Sequence, residues 1–223
     1  MITVLGRVSS SNVQANLWCL AELGLAFDRI YTGFVYGVTD TPAYLKMNPN
    51  GFVPTFVDGE NPPLFEAGAI LHYLATAYGD DTFWPVDLLA RTQIDKWAEW
   101  AKINIALRFT SPVFWLVIRT APSAWDLDRI STNLDLLNKF LAIADTRLAA
   151  NAFIAGSQFT LADIQMGHCM FRYFDIDIPR TGFPHLQAYY ERLCARPAYR
   201  RHVMVDYEEL RVTDQARRLG KPV

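Results

Sequence analysis

Asn48-Pro-Asn-Gly-Phe-Val-Pro-Thr-Phe56 is the stretch on which the fold turns. Its second half opens the short β-branched run Val53 to Val57, interrupted by Pro54. Proline has no N–H to give to a ladder, so the run reads either as an edge strand or as a special turn. Asp58 and Gly59 then read as a hairpin tip. Beyond them, Ile70, Leu71, Tyr73, Leu74 and Ala77 have helical spacing within Ala67 to Tyr78, and Gly79 closes that helix. Working back from Asn48, Gly33 to Asn50 is rich in turn formers and resists assignment. Phe27 to Thr32 alternates as a second strand. Val13, Leu17, Leu20 and Ala21 draw one apolar helix face that stops at Gly24, and Met1 to Leu5 is short and apolar enough for a buried first strand, with Gly6 to Ser11 as the connecting loop. Strand, helix, strand, hairpin, helix predicts an α/β domain over residues 1–79.

The other side of the polar, Pro-containing linker 80–87 is helical throughout, which predicts an all-helical domain over 88–223. Leu88 to Phe109 is one long helix candidate, and Thr110-Ser111-Pro112 should break or kink it before Val113 to Ile118. Ile130, Leu134, Leu137, Leu141, Ala144 and Leu148 recur at alternating steps of four and three, the signature of one buried stripe. Thr160 to Asp163 has the spacing of a capping box, with Asp for the usual Glu, and its role is to cap and fold rather than to catalyse. Pro184 opens a later helix that Arg196 and Pro197 end.

Composition excludes several function classes. The net charge is −2 and the sequence pI near 6.1, which gives no electrostatic reason to expect nucleic acid or an anionic membrane. No uninterrupted apolar run reaches membrane-spanning length, and the first residues lack a signal-peptide pattern, so a cytoplasmic protein is expected. Cys19, Cys169 and Cys194 are far apart and form no CxxC pair, so each reads as a small core residue. The same absence rules against a thioredoxin-type reductase, which needs a cysteine in the loop after the first strand. His72, His168, His185 and His202 show no metal-ligand spacing, and no metal is expected.

Four local motifs, in this order, give the chain its resemblance: Ser9-Ser-Ser-Asn-Val-Gln14 after the first strand, Asn48 to Phe56, Phe65-Glu-Ala-Gly-Ala-Ile-Leu-His-Tyr-Leu74, and Phe159-Thr-Leu-Ala-Asp163. From about Ile2 to about Val203 the chain resembles glutathione transferases, particularly bacterial forms similar to the theta and beta classes. The resemblance implies a thioredoxin-like first domain, a helical bundle after it, glutathione as cosubstrate, a small hydrophobic electrophile as second substrate, and a homodimer. It also implies a cis Pro54, which lets Val53 offer its backbone N–H and C=O to the cysteinyl unit in the manner of strand addition.

Residue by residue, the resemblance places Glu66 and Ala67 at the γ-glutamyl end, the carboxylate facing the ligand's ammonium and the helix-start N–H groups facing its carboxylate. The family usually has Ser where Ala67 stands, which removes a hydroxyl hydrogen bond worth about 1 kcal/mol. Phe52 occupies a place where related bacterial sequences often carry a basic or polar residue for the glycyl carboxylate, and Lys46 is the candidate to compensate. For the thiol, Ser10 is the expected donor, with Asn12 next and Ser9 and Ser11 within a residue of the mark. A hydroxyl together with the positive end of a helix lowers a thiol pKa. At least one of these serines should also cap the helix. Candidates for the electrophile pocket are Trp100, Asn104, Arg108, Phe109 and Trp115, although aromatics on such a helix are more often packing residues. The rival reading is a non-catalytic binding module, favoured by Ala67 and Phe52. A glutathione-dependent peroxidase, reductase or isomerase could use the same site, because fold does not fix reaction.

Overall fold

β1 (Ile2–Leu5) and β2 (Phe27–Ile30) run parallel, Val4 opposite Arg29, and are joined by α1 (Ser11–Glu22). On its other side β1 pairs antiparallel with β3 (Thr55–Asp58), which pairs antiparallel with β4 (Leu64–Phe65), giving the order β2-β1-β3-β4. β3 is therefore interior, and of the two readings of Pro54 the special turn holds: the proline sits just before a central strand, and the Val53–Pro54 peptide is cis. The hairpin is longer than a two-residue tip. Residues 59–63 separate β3 from β4, with Gly59 in the left-handed region at φ 59°. α3 (Ala67–Tyr78) has the bounds that its periodicity predicts. Within the stretch that resists assignment lies α2 (Pro42–Met47), capped by Thr41, whose Oγ1 accepts from the Tyr44 N–H at 3.3 Å. This mixed four-stranded sheet with its helices is a thioredoxin-like domain, and a helical domain follows it. The computed structural model describes residues 1–218. The last residues of the expected helical domain, 219–223, lie outside the described residues.

Pro112 does not break the long helix, which runs from Leu88 to Ile118. Two π-helical segments, Lys102–Ala106 and Thr110–Phe114, interrupt its α-helical course, and Pro112 lies inside the second. In an α-helix the proline ring would clash with the carbonyl one turn back. A π turn adds a residue to the loop and moves that carbonyl away. The freed geometry is anchored from outside, since Asn133 Nδ2 donates to the Pro112 carbonyl at 2.8 Å. By length and average apolarity this helix meets the description of a membrane-crossing segment. Part of that apolarity serves the core, since Ile94, Ala98, Ala101, Ile105, Phe109, Val113 and Phe114 are buried, while Leu88, Leu89, Ile103, Leu107 and Trp115 are exposed.

The helix Leu127–Ala149 buries the six residues of the predicted stripe. The helix Leu161–Gly167 is buried along its whole length and begins with the predicted capping box. Asp163 Oδ2 accepts from the Thr160 N–H at 2.9 Å, while Oδ1 accepts from the Ile154 N–H at 3.0 Å and the Tyr189 hydroxyl at 3.1 Å. The core is continuous between the halves. The fully buried Trp18 of α1 meets Phe159 and Tyr199 with ring centroids 5.6 and 4.8 Å away. Arg196 reaches back to Glu22 through two N–H donors at 2.8 and 2.7 Å. Cys19 and Cys169 are buried, which pushes the Cys169 thiol up to about 12, and Cys194 is partly buried.

Candidate functional site

The loop between β1 and α1, the segment before β3 and the start of α3 converge on one cavity of about 490 Å³. Its floor is held by a small polar network. Tyr44 Oη and Asn48 Nδ2 both donate to the Phe52 carbonyl, at 2.6 and 2.8 Å, and Thr55 Oγ1 donates to Tyr44 Oη at 2.8 Å. Gly51 turns the chain at φ 64°. Tying the Phe52 carbonyl twice fixes the peptide immediately before Val53, which with Pro54 lines the cavity. The Phe52 side chain itself is 74% exposed. It offers no polar group to a ligand.

Ser10 is the residue from which α1 springs, with an extended backbone (φ −87°, ψ 119°) and its carbonyl accepting from the Gln14 N–H at 2.9 Å. Ser10 is thus the serine at the cap position, but its hydroxyl makes no capping hydrogen bond. The hydroxyl stands at the positive end of a twelve-residue helix, free for a ligand. Ser9 is buried and committed elsewhere. Its hydroxyl donates to Glu209, and its carbonyl accepts from Arg172 at 2.6 Å. Ser11 is buried and Asn12 exposed, and both line the cavity.

Glu66 precedes α3 with φ 68° and ψ 113°, a backbone conformation that a side-chain-bearing residue adopts only under strain. Glu66 is exposed, and both it and Ala67, the first residue of α3, line the cavity. Asn16 Nδ2 donates to the Ala67 carbonyl at 3.1 Å and so ties α1 to the start of α3. Of the seven predicted site residues, six come together: Ser10, Asn12, Val53, Pro54, Glu66 and Ala67. Lys46 does not. It is exposed on the last turn of α2, outside the cavity lining.

Of the electrophile-pocket candidates, only Trp115 lines the cavity. Trp100 packs on Trp97 and Phe140, Arg108 lies over Phe140, Asn104 Nδ2 bonds back to the Trp100 carbonyl at 3.1 Å, and Phe109 is buried against Phe114 and Tyr173. The helical wall is instead made by Thr110, Trp115 and Arg119. Thr110 and Trp115 lie five residues apart on the continuous helix and Arg119 is the residue that caps its end, a spacing that could be read only once the helix was known to pass through Pro112. Two further arginines, Arg7 and Arg172, also line the cavity. Arg172 is 3% exposed, and burial pulls its guanidinium down to about 10. Sequence periodicity gives no sign of it.

Elsewhere, tertiary contact joins what spacing keeps apart. His72 Nε2 lies 2.7 Å from Asp95 Oδ1, with Glu99 nearby, while Nδ1 faces the Gly68 carbonyl at 2.8 Å. The three side chains offer ligand atoms that all lie within 4.8 Å of one another, a grouping that spacing along the chain did not show.

Comparison with known proteins agrees with this geometry. Residues 1–76 match the N-terminal domain of glutathione S-transferases, and residues 113–197 match the C-terminal domain. A theta-class glutathione S-transferase from Xanthomonas axonopodis pv. citri, solved with glutathione bound, is 41% identical and superposes with a TM-score of 0.86, over 92% of this chain and 98% of that one. Glutathione S-transferase GstB of Escherichia coli is 34% identical over 92% of this chain and 99% of its own length. Glutathione S-transferase 3 of Zea mays is 31% identical over 89% and 91%. The chain belongs to the glutathione S-transferase family.

Proposed function

We propose that this protein is a glutathione transferase that stabilises the glutathione thiolate beside Ser10 and transfers it to a small electrophile. The observation that carries the reading is the Ser10 hydroxyl, free of any capping bond and set at the head of α1 in the same cavity as Val53, Glu66 and Ala67. Glutathione fits that set. Glu66 takes the γ-glutamyl ammonium, the Ala67 N–H its carboxylate, and the Val53 backbone pairs with the cysteinyl unit, which brings the sulfur to the head of α1. There the helix end and the hydroxyl favour the thiolate, and Asn12 is a second donor within reach of the same cavity. Holding thiolate and electrophile together supplies the rest of the rate. The functional division is a glutathione-binding domain over 1–79, a linker over 80–87 and a helical domain from 88 onward. The exposed apolar residues Val86, Leu88 and Leu89 favour a homodimer, which sedimentation velocity checks.

Isothermal titration with glutathione, together with the ultraviolet absorbance of bound thiolate near neutral pH, tests the reading on wild type and Ser10→Ala. The expected outcome is retained binding, loss of the thiolate signal and a fall in turnover of about ten- to a hundred-fold. Unfolding stability should barely move, because the hydroxyl holds no structural bond. No heat with millimolar glutathione would mean that Ala67 and Phe52 have disabled the site, leaving the non-catalytic reading.

A further inference from the structure

The side-chain cluster at the junction of α3 and the long helix carries the inference. Asp95 and Glu99 stand four residues apart on the helix Leu88–Ile118, so they share one face, and His72 comes to them from α3. All three are partly buried, and their ligand atoms lie within 4.8 Å of one another. Two carboxylates at this helical spacing repel and weaken a helix. Among the described residues no cation answers both. Asp95 pairs with His72 alone, and Glu99 has neither an ion pair nor a hydrogen bond. Lys102, three residues past Glu99, brings its Nζ to Gly68 instead, where it would lie 2.6 Å from an added Cβ.

The imidazole is already set for a metal. Its Nδ1 lies 2.8 Å from the Gly68 carbonyl, which can only accept, so Nδ1 carries the hydrogen. In the neutral ring the Nε2 lone pair then faces Asp95 Oδ1 at 2.7 Å, acceptor against acceptor. Only a positive species resolves that conflict, either a second proton on the ring or a metal ion. A proton serves Asp95 alone, whereas a divalent ion serves all three side chains and brings the charge of the set to zero. A backbone carbonyl behind the imidazole is the outer support that metal-ligating histidines commonly have. Trp84 holds the ring further, edge-on with centroids 5.4 Å apart. That indole is buried and donates through Nε1 to Thr76 Oγ1 at 3.1 Å. Metal–ligand bonds of about 2.0–2.2 Å set tetrahedral ligand atoms about 3.3 Å apart. Side-chain movements of about 1 Å bring the three to that spacing, which their partial exposure allows.

We infer that His72, Asp95 and Glu99 bind a divalent first-row transition-metal ion of the zinc type, which clips α3 to the long helix. One imidazole nitrogen with two carboxylates suits such an ion, whereas Mg²⁺ and Ca²⁺ favour oxygen ligands throughout. Water completes the shell, since His72 and Asp95 are 31% and 41% exposed. α3 lies in the thioredoxin-like domain and the long helix leads into the helical one, so the ion ties the two together. Spacing along the chain gave no sign of the set because two helices supply it. The inference does not depend on the transferase chemistry.

The test is calorimetric titration of the full, tag-free chain with Zn²⁺ after removal of metal by a chelator and dialysis. Wild type is compared with Glu99→Gln, Asp95→Asn and His72→Gln, and with His185→Gln as a control at an exposed histidine. One Zn²⁺ should bind per chain, each cluster variant should weaken it by at least about ten-fold, and His185→Gln should leave it unchanged. Glu99→Gln is decisive. Glu99 holds no bond in the metal-free protein, so urea unfolding without metal should not move. At free Zn²⁺ a hundred times its Kd, the wild-type unfolding constant should fall about a hundred-fold, and Glu99→Gln should lose most of that gain. Millimolar Mg²⁺ should not compete. Absence of saturable Zn²⁺ binding would overturn the inference, as would binding that survives the three cluster substitutions. Displacement by Mg²⁺ would overturn the class of ion.

Discussion

At Glu66 the chain accepts a local backbone cost at the rim of the cavity. With φ at 68° and ψ at 113°, the residue stands where a Cβ is in steric conflict with its own backbone, at about 1–3 kcal/mol. That conformation turns β4 into α3 while leaving the carboxylate exposed at the cavity rim. Glu66→Gly should therefore raise stability by about 1 kcal/mol, the relief of strain exceeding the extra chain entropy of glycine in the unfolded state. It should also weaken glutathione binding by about ten-fold or more through loss of the ammonium partner. Urea unfolding and calorimetric titration of one preparation check both arms, and a variant that loses stability and keeps affinity would contradict the assignment. The position was legible in the sequence, as a carboxylate before a helix within a recognisable motif. The strain was not, because a motif specifies residue types and leaves φ unstated. For Arg7, Arg119 and Arg172 the case is the reverse. Each is an ordinary arginine in a linear reading, and only the approach of two halves of the chain makes them a group.

Among the elements, a one-sided apolar rhythm gave the bounds of α3 and, in Leu127–Ala149, the residues of the buried stripe. Failures came where a rule about one residue met a tertiary compensation. Pro112 was expected to break or kink the helix, and instead of a break a π turn and the Asn133 amide accommodate it, and an edge strand was one option for Val53–Val57 until β4 paired with β3. Packing between elements makes a paired prediction at two helical glycines. In Leu161–Gly167, a Cβ on Gly167 would lie 2.7 Å from Leu193 Cδ1 and 2.8 Å from the Trp18 ring, both in the buried core. A Cβ on Gly68 of α3 would lie 2.6 Å from Lys102 Nζ, the movable end of a flexible side chain. In a free helix both changes to alanine would gain up to about 1 kcal/mol. Gly68→Ala should keep some of that gain, while Gly167→Ala should lose about 1–3 kcal/mol to overpacking. Chemical denaturation of the two variants side by side reads the difference, and equal shifts would mean that the contact between α1 and Leu161–Gly167 is looser than drawn.

For the whole molecule, the buried seam between the halves holds two titrating groups that act against each other. Burial pushes the Asp163 carboxyl up from 3.8 to about 6 in spite of its hydrogen bonds, and burial pushes the His168 imidazole down from 6.5 to about 4. The folded protein therefore holds a proton on Asp163 that the unfolded chain releases between about pH 4 and 6, so this group's stabilising contribution is complete below 3.8 and is lost as pH rises through 6. His168 has the opposite sign. The unfolded chain binds a proton that the folded protein refuses, so its contribution is complete above 6.5 and is lost as pH falls through 4. Across the shared window the two slopes oppose each other, each limited to about 1.4 kcal/mol per pH unit. Wild-type stability should vary little there on account of this pair. Asp163→Asn keeps an acceptor for part of the cap but cannot titrate. Its overall stability should fall through the lost acceptor, and it should expose the histidine slope, with stability rising as pH goes from 4 to 6.5. His168→Gln should expose the carboxyl slope and run the other way. Urea unfolding at half-unit pH intervals measures all three curves. If both variants stay parallel to wild type, neither group changes its proton affinity on folding, and the seam is more hydrated than the packing of Trp18, Asp163 and Tyr189 implies.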